Sequence, residues 1–358
     1  MQDITKYENK GLTGLSNLGN TCFLNSCIQV LSHTYELNNF LEDGTYKKKL
    51  SGHANENYIY DSCLLMQWDK LRKLMWSENC NISPGAFLNA IHVVAKKKNM
   101  DLFTGYSQND LPEFLLMIID CFHNALRRQV TMEITGVAEN DKDVMASKCF
   151  NKIKEMYSNE YSEILKIFFG IQVSVITNLK TKKITNIIPE PFFMIDLPIP
   201  TNHNNPSLFN CFEEYCKPEI LEGENGIINE KTNEKEDIEK KIVFWNLPEI
   251  LVIDIKRFNM VGNKIKLPVR IPVDDVDFSK YIEGYDKETY KYDLYGVCNH
   301  MGGTLGGHYT AYVKNANAKW YLYNDTNVIE VKEKFSEINN SHSYCLFYRK
   351  KKVINYYI

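Results

Sequence analysis

Cys22 stands where a Gly- and Asn-rich stretch, Gly14-Leu-Ser-Asn-Leu-Gly-Asn-Thr21, gives way to apolar residues at Phe23, Cys27, Val30 and Leu31, the spacing of one face of a helix. A cysteine on the first turn of a helix meets backbone N–H groups that lack partners. These favour the thiolate and can bring the thiol pKa well below its free value of about 8.5. Asn20 or Thr21 is placed to cap that helix. Asn17, five positions before the cysteine, can turn a side-chain N–H towards an oxyanion. Without a base, Cys22 reads equally well as a small buried residue at a helix start.

A base stands near the other end of the chain. His308 follows Met301-Gly-Gly-Thr-Leu-Gly-Gly307, a run read as a mobile loop, and it opens the alternating strand Tyr309–Val313. Asn315-Ala-Asn-Ala318 is a turn signal, and Lys319–Asp325 reads as a second strand. A hairpin centred on Ala316 sets His308 opposite Asn324, with Cβ atoms about 4.5–5.5 Å apart. A shift of half a residue pairs His308 with Asp325 instead. The two side chains point to opposite faces of a strand, so one of them orients the imidazole. A thiol, an imidazole and a third polar group together suit acyl transfer through a thioester.

The elements around these residues divide the chain. Leu64–Met75, Pro84–Val94 and Leu111–Leu126 carry apolar residues at helical spacing. From Phe168 onward, alternating β-branched and aromatic residues take over, as in Ile171–Ile176 and Ser343–Tyr348. Residues 128–160 show no clean period and read as a partly helical insertion. Residues 222–241, rich in Glu, Asn and Lys, read as an exposed loop or disordered tip. Asp110-Leu-Pro-Glu113 has the form of a capping box, with Asp110 as cap, Glu113 returning the bond and Pro112 in the first turn.

The composition permits this chemistry without specifying it. A chain of 358 residues with 44% hydrophobic content can bury a large core, and a net charge of −3 gives no reason to expect nucleic acid. No apolar stretch reaches membrane-spanning length, and the amino terminus has no signal-peptide core. The ten cysteines are therefore expected to be reduced, in cytosol or nucleus.

Four stretches, in order, resemble the boxes of the ubiquitin-specific protease family. They are the segment around Cys22, Gln108-Asn-Asp110-Leu-Pro-Glu113-Phe-Leu115, Leu247–Phe258 with Lys256-Arg-Phe258 at its end, and Val297–Tyr312 around His308. The resemblance runs from about residue 11 to 349. It implies an α+β, papain-like cysteine peptidase fold in a single catalytic domain: a helical thumb over 1–165, mostly β fingers over 166–245, and a β-rich palm with the histidine box over 246–358. It further implies cleavage of the bond after the C-terminal Gly-Gly of ubiquitin, with ubiquitin and ubiquitinated proteins as partners. Cys22 would then be nucleophile, His308 base, Asn324 (or Asp325) the orienting member and Asn17 an oxyanion donor. Gln108, Asp110, Glu113, Phe258, Gly306, Gly307 and Tyr309 would line the groove for the basic tail of ubiquitin.

Two departures from the family pattern matter. Many members hold a zinc in the fingers with two Cys-x-x-Cys pairs, but Thr177-Asn-Leu-Lys180 and Gly223-Glu-Asn-Gly226 stand there in this chain. Cys211 and Cys216, with His203 upstream, read as two cysteines on a short helix, Leu208–Cys216, so neither metal nor cofactor is expected. Asp254 replaces the more usual histidine on the strand before Lys256 and is expected to sit away from the chemistry. A catalytically inactive ubiquitin-binding scaffold and a hydrolase for another Gly-Gly modifier are the competing readings; Cys22, His308 and Asn324 argue against the first.

Overall fold

The computed structural model describes residues 4–351 apart from 54, 229–232, 305 and 333–336. Its first large element, α1 (Cys22–Ser32), is buried along its whole length. Most of its residues are apolar or small, and its polar side is anchored by hydrogen bonds from Asn25 to Asp325 and from Gln29 to the Thr13 carbonyl. Around α1 lie α2 (Tyr35–Glu42), α3 (Ile59–Ser77), α4 (Gly85–Lys97) and α5 (Leu111–Leu126). Each expected helix in this half is present: α5 has the expected bounds, α4 begins one residue later and runs three further, and α3 is longer at both ends. Asp110 caps α5 through its Oδ1, which accepts from the Glu113 N–H at 3.3 Å. The reciprocal bond from the Glu113 side chain is not made among the described residues, because that side chain turns to solvent, so the capping box is only half realised.

The β half is built on one large sheet, in the order β16 (Asn327–Val331), β15 (Trp320–Asn324), β14 (Gly306–Lys314), β13 (Lys291–Gly303), β18 (Ser343–Lys350), β10 (Ile250–Lys256) and β5 (Met194–Pro198). Only β5 and β10 in that path run parallel; β12 (Val276–Asp277) adds to β13. The face carrying Val252, Cys298, Ala311 and Phe347 packs on α1 and the helical half. Leu251, Ile253, Val297 and Leu346 face a second core with α8 (Leu208–Tyr215), β11 (Val269–Pro272) and β17 (Glu337–Asn340). Such alternation is what a sheet covered on both faces requires.

A separate four-stranded sheet has the order β4 (Ile184–Phe192), β3 (Gly170–Asn178), β9 (Ile238–Asn246), β6 (Glu219–Leu221). Residues 128–160, read as an insertion without clean period, contain the 20-residue helix α6 (Asp141–Glu160), capped by Asn140. Its apolar stripe, with Ala146 and Cys149 buried and Met145, Phe150 and Ile153 partly buried, covers Ile171, Val173, Ile187 and Val243. Spacings of three and four were present in the sequence, but the stripe is narrow against a charged background. A short α7 (Glu163–Phe168) follows. The segment 222–241 is likewise more ordered than expected: β7 (Ile227–Ile228) pairs with β8 (Lys235–Glu236), and its last residues belong to β9, while 229–232 lie outside the described residues. The remaining short strands, β1 (Gly14–Leu15) and β2 (Asn81–Ile82), pair in parallel and anchor the loop before α1.

Candidate active site

Cys22 is the first residue of α1 and only 2% exposed. Thr21 is the cap residue, yet its hydroxyl turns back to accept the Leu18 N–H at 2.9 Å and makes no capping bond. The Asn20 amide instead donates to the Tyr106 carbonyl at 3.1 Å. The turn itself is held by Asn17, whose Oδ1 accepts the N–H groups of Gly19 and Thr21, both at 3.1 Å. The expectation of a lowered thiol pKa is not met. Burial is the largest influence and pushes the Cys22 thiol up, and the charge of Asp325 adds to this; the N–H groups of Tyr309, Phe23 and Cys22 itself pull the other way. Helix-start donors are present, but desolvation outweighs them.

On the sheet, His308 lies on β14, and its Nε2 is 2.7 Å from Asn324 Oδ1 at the end of β15. The register differs from the expected one. Lys314 pairs with Trp320 and Ala311 with Tyr323, which centres the hairpin on Asn317. A shift of two residues preserves the faces, so His308 and Asn324 meet diagonally along the strands. Asp325 turns away from the imidazole. It has φ +50° in the two-residue turn to β16, and its carboxylate accepts from Asn25 Nδ2 at 2.7 Å and Asn17 Nδ2 at 3.0 Å. One of the Asn17 amide hydrogens is thereby committed to Asp325. Gly14 permits this approach, since a Cβ there would fall 2.3 Å from the Thr326 carbonyl oxygen.

The glycine-rich run is a tight hairpin rather than a mobile loop. Met301 pairs with His308, Gly302 with Gly307 and Gly303 with Gly306, while residue 305 lies outside the described residues. Only glycines let the strands close in this way: a Cβ on Gly302 (φ +132°) would meet the Gly307 Cα at 2.4 Å, and one on Gly307 would meet His300 Nε2 at the same distance. Gln108 grips this hairpin at both polar groups of Gly307, its Nε2 donating to the carbonyl at 2.7 Å and its Oε1 accepting the N–H at 2.6 Å.

Beside the hairpin lies a cavity of about 850 Å³, lined by Gln108, Asp110, Phe258, Gly306 and Tyr309 together with Asn20, His300 and Tyr344. Tyr309, which lines this channel, is also near enough to Cys22 for its N–H to favour the thiolate. Glu113 is exposed outside the lining, and its side chain makes no hydrogen bond or ion pair among the described residues. Asp110 has less freedom, because its Oδ2 accepts the Tyr344 hydroxyl at 2.6 Å while Oδ1 caps α5.

Three parts of the site escaped the sequence reading. Asn25 and Tyr344 act on it from a helix face and a distant strand, where their types resemble ordinary core polar residues. Asp254 is closer to the site than expected: on β10 it pairs with Asp196 and Cys345, and its charge reaches Asp110 and Tyr344. Burial pushes its carboxyl well above the usual range, and Asp196 and Asp110 push further. As for metals, no group of three or more His, Cys, Asp or Glu side chains converges among the described residues. Burial pushes the Cys211 and Cys216 thiols up to about 12 and about 11.

The ubiquitin carboxyl-terminal hydrolase family model matches residues 13–348. The chain belongs to that family. Human ubiquitin carboxyl-terminal hydrolase 2 is 31% identical over 350 residues, covering 95% of this chain and 55% of the relative. The Gallus gallus protein of the same name is 31% identical over 346 residues, with 95% and 93% covered. Ubiquitin carboxyl-terminal hydrolase 4 of Saccharomyces cerevisiae is 28% identical over 372 residues, with 96% and 40% covered. The chain thus spans about half the length of several curated relatives that it matches, including the human one. Among solved structures, the SAGA DUB module containing Ubp8, bound to monoubiquitin, aligns with a TM-score of 0.72 at 21% identity, covering 97% of this chain and 71% of that one. The same module bound to ubiquitin aldehyde aligns at 0.71 and 22% identity, with the same coverage. These likenesses establish the α+β, papain-like fold.

Proposed function

We propose that this chain is a thiol-dependent deubiquitinase that hydrolyses the peptide or isopeptide bond after the C-terminal Gly-Gly of ubiquitin. The observation that carries the proposal is the short contact of His308 Nε2 with Asn324 Oδ1, 2.7 Å, with His308 on β14, the strand that packs against the helix begun by Cys22. In this reading His308 takes the Cys22 proton as sulfur attacks the carbonyl carbon of the terminal glycine. Collapse of the tetrahedral oxyanion breaks the C–N bond, and the protonated imidazole gives its proton to the departing amine. Water, deprotonated by His308, then attacks the thioester, and the thiol is regenerated. Backbone N–H groups at the start of α1 and the second amide hydrogen of Asn17 are the donors available to the oxyanion. Asn324 holds the ring, and Asp325 holds the Cys22 loop through Asn17 and Asn25.

Specificity rests on the channel. Gly303 and Gly306 line the channel without side chains, and a Cβ on Gly303 would meet nothing within 4 Å, so a narrow Gly-Gly tail suits this wall better than bulkier residues. Glu113, exposed and unpaired among the described residues, suits a tail arginine better than Asp110, whose oxygens are occupied. A catalytic thiol works only while reduced, which fits cytosol or nucleus.

The test is incubation with ubiquitin, and separately with related Gly-Gly modifiers, each carrying a C-terminal electrophile. We expect a covalent ubiquitin adduct on Cys22 and none in Cys22→Ala. An adduct on another cysteine sinks the mechanism; reaction with a relative of ubiquitin alone reassigns the modifier.

A further inference from the structure

The wall of the channel opposite Gln108 contains a contact that the mechanism does not use. Lys264 lies on the segment after Phe258, and its Nζ donates to the His300 carbonyl at 2.5 Å and lies 3.2 Å from His300 Nδ1. The root of that segment is fixed independently. Arg257, fully buried, donates to the carbonyls of Ser343, Leu267, Ile265 and Asn340, and Phe258 bridges to Lys264. His300 is 4% exposed, its ring 4.6 Å from that of Tyr309, and its Nε2 occupies the space that a side chain on Gly307 would need.

An ammonium group only donates, so it makes Nδ1 of His300 the acceptor and leaves the ring proton on Nε2. We infer that Lys264 is a positioning residue for substrate binding: it holds His300 as the Nε2–H tautomer, its donor turned to the glycine hairpin where a Gly-Gly backbone carbonyl would pass. This rests on the deubiquitinase reading of the site. The charge states agree with it. Burial, with Arg257 and Lys266, pushes the Lys264 ammonium down to about 8. Burial, with Lys264 and His342, pushes the His300 imidazole down to about 4. At neutral pH the lysine is therefore mostly charged and the histidine neutral. Above about pH 8 the lysine loses its proton and with it the constraint on the tautomer.

The experiment is steady-state hydrolysis of ubiquitin bearing a C-terminal fluorogenic amide. Lys264→Met should raise KM about three- to ten-fold with kcat within about two-fold, the scale of one hydrogen bond to the substrate. Lys264→Arg, which keeps a charged donor, should restore KM, and adding Lys264→Met to His300→Phe should cost nothing more than His300→Phe alone. The wild-type KM should also rise above about pH 8, and Lys264→Arg should abolish that rise. This pH comparison stands even if the methionine variant fails to fold. An unchanged KM in Lys264→Met, additive effects in the double variant, or the same alkaline rise in Lys264→Arg overturns the inference while leaving the deubiquitinase reading intact. An inactive wild-type protein that forms no ubiquitin adduct overturns both.

Discussion

The two halves of the site are held in different ways. On the nucleophile side, the turn before Cys22 is shaped by its own residues: Asn17 bonds Gly19 and Thr21, and Thr21 bonds Leu18. On the imidazole side a local hairpin is held by remote residues: Gln108 grips Gly307 from 199 residues away and Lys264 holds His300 from 36. A short motif can thus shape the turn before the thiol, whereas the imidazole is placed by the folded sheet and its neighbours. Asp325 is the joint, belonging to the base hairpin by sequence and to the nucleophile loop by its hydrogen bonds.

The largest test of this contrast is at that joint. Asn324→Ala should lower kcat by about ten- to a thousand-fold through loss of ring orientation, with little change in melting temperature. Asp325→Ala should instead lower stability, because Asn17 and Asn25 lose a charged acceptor worth roughly 1.5–3 kcal/mol per hydrogen bond. If Asp325→Ala is inactive but as stable as wild type, Asp325 belongs with the imidazole and the comparison fails. Gln108→Leu should come next, losing two hydrogen bonds and roughly ten- to a hundred-fold in kcat/KM. Its rate of Cys22 alkylation by a small reagent should not change if the nucleophile side is self-held; a parallel fall in alkylation would show the halves to be coupled. Glu113→Lys should raise KM about ten-fold, while Asp110→Asn, which keeps the cap, should move it less; the reverse order would place the tail on Asp110.

The smallest effect expected is on stability alone. Asp254 Oδ1 is buried without a hydrogen-bond partner among the described residues. Its carboxyl is pushed up in the folded protein, so the folded state binds the proton more tightly than the unfolded one. Stability from this group is therefore full below the unfolded pKa of about 3.9 and falls as pH rises through the higher folded value. Asp254→Asn should raise the melting temperature at neutral pH by a few degrees, the scale of roughly 1–3 kcal/mol for an unsatisfied buried group, and the gain should shrink on acidification. A gain independent of pH would mean that the charge is not its source.

What the sequence made legible follows the same division. The start of α1 was readable because the change from glycine and asparagine to apolar residues is local. The meeting of His308 with Asn324 was readable because strand faces survive a register error of two. The register itself was not, because the turn is set by a remote tie: Asn315 donates to the Lys10 carbonyl at 2.8 Å, and Asn317 donates to Asn9 Oδ1 at the same distance. Gly302 and Gly307 looked like a loop because glycine signals freedom, whereas here its missing side chain lets two strands touch. The raised Cys22 thiol was illegible for another reason: helix-start donors are local, but the burial that outweighs them comes from the whole fold.

The Asn25–Asp325 hydrogen bond spans 300 residues of chain. At the usual synthesis rate of roughly 5–20 residues per second, on the order of 15–60 s separates the emergence of its two ends from the ribosome. Throughout that interval a growing chain carries its thiol without the hairpin that supplies the imidazole. The pairing of thiol and imidazole can therefore form only after the β14–β15 hairpin has emerged, and chains cut short before His308 lack it.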